Sequence, residues 1–127
     1  MANIPADLKY AASHEWVKEE DGLTVIGLTD FAQDALGDLV FVNLPEEGDE
    51  VTAGESFADV ESVKAVSDVF SPVSGTVAAI NEELLDAPES INEDPYGAWF
   101  IKVEGVTETE DLLDAAAYEA ACAAEAE

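Results

Sequence analysis

Arginine is absent from this chain and lysine occurs only four times among 127 residues. Against thirty acidic residues this leaves a formal net charge of −26, which repels nucleic acid phosphates and anionic lipid and argues against both as partners. Cysteine is nearly absent too. With Cys122 alone, no disulfide framework can form within the chain, and no metal-ligand spacing surrounds it, so it reads as a small packing residue. His14 is the only histidine and belongs to no HExxH or Cys/His pattern. It reads as a partly buried, hydrogen-bonded imidazole, and no metal site is expected. No apolar run approaches the roughly 20 residues that span a bilayer. Met1 to Tyr10 lacks the basic start and apolar stretch of a secretory signal, so the chain is expected in the cytoplasm. Signatures of catalysis are missing as well: there is no GxSxG, no phosphate loop and no zinc spacing.

What is present is acid, and a strand-rich middle. The apolar share of 48% is inflated by alanine, much of it in the last thirteen positions, so the core must come from the centre of the chain. The length suits one domain, 1–127, with a modest core. Such a charge density repels itself at low salt, whereas at about 1 M ionic strength the Debye length falls to roughly 3 Å. A salt-loving protein is predicted, of the composition found in the cytoplasm of extreme halophiles.

Along the chain, Glu15–Val17 and Leu23–Leu28 read as a hairpin turning at Asp21-Gly22. Asp30 to Leu36 reads as a short helix, with Asp30 as cap, Gln33 three positions on, Gly37 as the stop, and Phe31, Ala35 and Leu36 against a sheet. Leu39–Leu44 is a strand ended by Pro45. Asn81–Leu85 can begin a helical turn before Pro88, and a last strand is expected over Ala98–Val103. Thr107 with Glu110 three residues on predicts a final helix over about 108–121, with Leu112, Leu113, Ala116 and Ala120 on one face and a frayed end.

Between these lies the most ordered pattern. Phe57–Glu61 and Val66–Phe70 are short strand-like runs, bounded outside by Gly48, Asp49 and Gly54 and by Pro72, Ser74 and Gly75. Ser62 to Ala65 would be the turn, without the Gly or Asn that primed types need, hence a type I turn. It displays Lys64. The Gly-bearing corners flank this hairpin almost symmetrically, as in a small barrel or sandwich of two similar halves.

The segment ESVKAVSD with VFSPVSGTV closely resembles the attachment segment of the glycine cleavage H-protein family. The resemblance continues in SHEW at 13–16, GLTDFAQDALGDLVFVNLPEEGD at 27–49 and INEDPYGAW at 91–99. It implies a mainly β fold, a flattened barrel-sandwich hybrid of two small antiparallel sheets with a short helix near 30–36 and a C-terminal helix. It implies a lipoyl group in amide linkage on Lys64, within the motif Glu61, Ser62, Val63 and Ala65. The implied role is a non-catalytic carrier that takes the aminomethyl group of glycine from a pyridoxal-phosphate glycine decarboxylase to a folate-dependent aminomethyltransferase. Dihydrolipoyl dehydrogenase would reoxidise it, and a lipoate-attaching enzyme would load it. Ser13 and Glu15 would join Ser67 and Asp68 in a polar pocket for the loaded arm, where a carboxylate can pair with an amine cation. Family members often carry a further histidine in the short helix, where Phe31 and Ala35 stand here.

Related carriers fit less well. Biotinyl carriers usually flank the lysine with methionine, whereas Val63 and Ala65 stand here, and 2-oxo acid dehydrogenase domains usually place Asp before it. A lipoyl donor role toward other complexes, and a purely structural acidic binding module, stay open. Lys9, Lys18 and Lys102 have no such symmetrical setting.

Overall fold

The structure, a computed structural model, describes residues 4–126. The first hairpin joins β2 (Glu15–Glu20) to β3 (Leu23–Leu28), with the two-residue β1 (Lys9–Tyr10) on its outer edge. Asp21 and Gly22 turn it with φ of 54° and 80°, the double positive φ of a type I′ turn. The helix α1 (Asp30–Leu36) follows, then β4 (Leu39–Asn43), β5 (Glu50–Val51), β6 (Ser56–Ser62), β7 (Val66–Phe70) and β8 (Val73–Ile80). Two helical turns, α2 (Glu83–Asp86) and α3 (Ser90–Glu93), lead to β9 (Ile101–Thr109) and α4 (Ala115–Ala126).

The strands form two antiparallel sheets, one of six in the order β1-β2-β3-β9-β8-β5 and one of three in the order β4-β6-β7. Between them lies the main core, including Ile26, Val42, Val60, Val69, Val77 and Phe100. Because successive residues of a strand face opposite ways, Val25 points from β3 to the other side of the large sheet. There it packs with Leu8, Tyr10, Trp16, Tyr118 and Cys122 under α4. Cys122 is thus the packing residue expected. Trp16 lies flat over Gly27, its cross-strand partner: a Cβ there would sit 2.6 Å from the indole. Only a glycine admits that approach.

Several local expectations are corrected. The cap of α1 is Thr29, whose hydroxyl accepts from Ala32 N at 3.2 Å, while Asp30 accepts from the Gln33 amide at 2.6 Å. Ala32 rather than Ala35 is the helix's buried residue. INEDPYG opens within the helical turn α3. The last strand starts at Ile101 and continues to Thr109 because Ser74 and Val73 pair with Glu108 and Thr109. That pairing overrides the capping signal at Thr107, so the final helix begins at Ala115 rather than 108. Its N-terminus is capped by Asp114, which accepts from Ala117 N at 2.8 Å. It runs on to Ala126, past the expected stop, and Glu127 lies outside the described residues. Tyr118 and Cys122, four apart, form its buried face; Ala116 and Ala120 face solvent. Leu112 and Leu113 precede it, Leu113 exchanging backbone bonds of 2.9 and 2.7 Å with Tyr10.

Negative charge is concentrated on the surface. On the small sheet Asp59 stands directly opposite Asp68, a cross-strand like-charge pair that costs stability. Glu20 gathers two of the four lysines, Lys18 at 3.3 Å and Lys102 at 3.6 Å. Raising potassium chloride from 0.05 to about 1 M should therefore raise the melting temperature by about 4 °C or more. Thermal unfolding followed by circular dichroism measures it, and a flat or falling melting temperature would contradict the self-repulsion.

Candidate functional site

The turn between β6 and β7 is closed from both directions. Ser62 N donates to Ala65 O at 2.7 Å, and the Ser62 hydroxyl accepts from Ala65 N at 3.0 Å and Lys64 N at 3.3 Å. Neither Val63 nor Lys64 has positive φ, which excludes the primed types. Val63 N donates to Asp38 O at 3.1 Å, fastening the tip to the α1–β4 link. Lys64 is exposed, and its stem crosses the bare face of Gly37: a Cβ there would lie 3.4 Å from Lys64 Cε. Gly37 has φ +85°, and that backbone conformation is the reason for glycine at that place.

Asn92, from α3, holds this platform. Its amide donates to Gly37 O at 2.9 Å and Gln33 Oε1 at 2.8 Å, while its oxygen accepts from Leu39 N at 2.9 Å. One side chain thus joins the end of α1 to the start of β4. No local sequence signal marks it, since its partners lie more than fifty residues away.

Beside the tip, a cleft of about 200 Å³ opens between α1 and β7. Phe31, Ala35 and Leu36 give it an apolar wall, and Ser13, His14, Ser67 and Asp68 line its polar side. Three of the four residues expected in a pocket thus share one cleft. Ser67 pairs with Val60 and Asp68 with Asp59, so the two point to opposite faces, yet β7 is an edge strand and both border the opening.

Glu15, the fourth, is not in the lining. It is 1% exposed, with one carboxyl oxygen bonded to the Ser13 hydroxyl and the other accepting from Phe70 N at 3.3 Å. Burial pushes its pKa up to about 8 from 4.5, with the nearby Glu110 charge acting the same way, against the lowering by its hydrogen bonds to Ser13 and Phe70. The shift favours the protonated carboxyl at neutral pH, and Ser13 joins it to the cleft.

His14 was legible as a hydrogen-bonded imidazole, but not as part of the cleft. Its Nδ1 lies 2.8 Å from the Tyr118 hydroxyl, which lies 2.6 Å from the Thr29 hydroxyl, the cap of α1. The ring also packs on Phe31 at 4.9 Å between centroids. Tyr118, stacked on Tyr10 at 4.6 Å, thus links α4 to two elements of the cleft wall. Burial raises the Tyr118 pKa, keeping the hydroxyl neutral. Among the described residues no cluster of His, Cys, Asp or Glu is arranged to hold a metal ion. No helix among them is long and apolar enough to cross a membrane.

A two-sheet β domain that offers one lysine at a tight turn, beside a small cleft, defines a carrier of the lipoyl and biotinyl type. The glycine cleavage H-protein family model matches residues 8–125. The chain is 63% identical over 114 residues to the glycine cleavage system H protein of Lachnoclostridium phytofermentans, covering 89% of this chain and 90% of that protein. Its identity to the one from Treponema denticola is 56% over 119 residues, covering 94% and 98%. The crystal structure of a glycine cleavage system H protein from Mycobacterium marinum superposes with a TM-score of 0.87 at 44% identity, covering 92% of this chain and 97% of that one. The chain belongs to the glycine cleavage H-protein family and is a lipoyl carrier of glycine cleavage.

Proposed function

We propose that Lys64 is the amine to which the lipoyl group is joined, and that the α1–β7 cleft receives the arm's loaded end. The observation that carries this is the setting of Lys64: exposed at a closed turn, in ion-pair contact with no acid among the described residues, with its stem in van der Waals reach of Gly37. The residues present fit such a group. A primary amine can be acylated where arginine cannot, and Gly37 leaves room along the stem. Lys18 and Lys102, by contrast, are engaged with Glu20, and Lys102 also lies 4.9 Å from the Trp99 ring. Once attached, the group supplies a sulfur that takes up the aminomethyl unit of glycine and a dithiol that is later reoxidised.

This chain's own part is positioning. Ser62 and Asp38 hold the turn, so the amine's root does not wander while successive partners engage it. Ser67, Asp68 and Ser13 offer acceptors to an amine cation entering the cleft, and the apolar α1 wall limits its water. Glu15 serves from beneath, because a cation arriving at Ser13 would favour the ionised form of a carboxyl that is otherwise neutral. No step of bond breaking is assigned to any side chain; the chain acts as the shared substrate of the glycine decarboxylase, the aminomethyltransferase and dihydrolipoyl dehydrogenase, and of the enzyme that attaches lipoate. We place it in the cytoplasm and read its acid surface as suited to high salt, on the strength of its −26 charge.

Intact mass and peptide mapping of protein isolated from its native cells test this. One lipoyl group on Lys64 is expected, and none on Lys9, Lys18 or Lys102. A biotinyl group, or an unmodified chain in cells supplied with lipoate, would overturn the reading.

A further inference from the structure

The acyl group must be joined to Lys64 itself before any carrier function exists, and this sets the attaching partner apart. The partners in glycine cleavage meet the far end of a lengthened arm. The attaching enzyme must bring a carbonyl carbon to Nζ, about 6 Å from the backbone along a four-carbon stem, and so must press on the residues around the turn.

Those residues are apolar and bare. Val63 and Val66, on either side of Lys64, are 70% and 66% exposed, and Val40 and Phe41 on β4 are 54% and 46% exposed. Pairing aligns them: Phe41 stands opposite Glu61, and Glu61 opposite Val66. Cross-strand partners share a face, so Phe41, Glu61 and Val66 form one outward row across three strands, ending at the turn. Exposed valine and phenylalanine at the rim of so acidic a domain call for an explanation that packing does not supply. Glu61 stands within the row and Asp38, Asp59 and Asp68 border it, and the −26 charge repels a second copy of the chain.

We infer that Phe41, Val63 and Val66, with Val40 beside them, are the docking surface for the enzyme that acylates Lys64, a protein with an apolar ledge and a basic rim next to a bound, activated carboxylic acid. This rests on Lys64 being the acylated amine, as proposed above. The patch is small beside the interface of a stable complex, as suits a partner that must leave after one reaction. In that reaction the Lys64 ammonium gives up one proton to become a nucleophile. Its nitrogen then bonds to the carbonyl carbon of an acyl phosphate ester or thioester as the carbon's bond to that oxygen or sulfur breaks. The second proton passes to a base or to the departing group, and no oxidant is needed.

The test compares loading with use. Phe41→Ser/Val63→Ser/Val66→Thr protein is made alongside Val63→Ser alone, whose change lies in the turn and spares the strands if the triple variant folds poorly. Attachment by the purified lipoate-attaching enzyme is followed by intact mass. Glycine decarboxylation is then measured with each variant after exhaustive loading. Attachment kcat/KM should fall about tenfold or more for the triple variant and severalfold for Val63→Ser, with the loaded proteins supporting decarboxylation within about twofold of the parent. Unchanged attachment would overturn the inference, and so would equal losses in loading and use, which would make the patch a surface for every partner. Failure of the parent chain to take lipoate on Lys64 would instead sink the attachment reading beneath it.

Discussion

Glu15→Gln should become more stable than the parent chain as pH rises from about 5 to 8, and close to it at pH 5. The sign follows from the native pKa, pushed up to about 8 by burial from 4.5 in an exposed carboxyl. A group whose native pKa is raised contributes its full share below the unfolded value and loses it as pH climbs toward the native one. Between these limits the unfolded chain has released the proton while the folded chain still holds it. The loss grows by about 1.4 kcal/mol per pH unit and reaches at most about 5 kcal/mol near pH 8. Glutamine keeps the shape of the neutral acid. Its oxygen can accept from Phe70 N and its amide can donate to the Ser13 hydroxyl, the partners Glu15 has now. Denaturant melts at fixed high salt, at pH 5, 6.5 and 8, give the difference directly, and the repulsion among the other acids cancels in the comparison. A difference that stays constant over that range would mean that Glu15 is ionised in the folded protein.

Lys64→Arg should lose lipoate attachment altogether and bring glycine decarboxylation to background, with the melting temperature unchanged. The side chain is exposed, and the turn is held by the backbone and by Ser62 rather than by the amine. Arginine keeps the cation and offers no amine that can be acylated at neutral pH. Mass spectrometry shows the loss of attachment, circular dichroism the intact fold, and carbon dioxide exchange with the other components the loss of use. Retained exchange would require a different lysine to carry the arm.

The lysine hairpin was legible because turn chemistry bounds it on both outer sides and leaves four residues for the reversal, which also sets the register of β6 and β7. The Asp21-Gly22 hairpin and the bounds of α1 were legible for the same reason: each is decided within a few residues. The final helix was misplaced because a local cap at Thr107 competes with a ladder to β8, whose residues come from another part of the chain. At the cleft, a list of acids and hydroxyls near the tip could not separate Glu15, a buried carboxyl, from Asp68, an exposed one.

By itself, then, the order of residues determined the strand reversal that displays Lys64, the short helix beside it and the acid surface, since spacing and turn geometry act over a few neighbours. Tertiary structure alone decided that Glu15 is buried and its pKa raised, that His14 joins Tyr118 104 residues away, and that Asn92 props Gly37 under the lysine stem. Burial and hydrogen bonds between distant segments arise only once two sheets close on one core, and no local pattern encodes which polar groups that closure will strip of water.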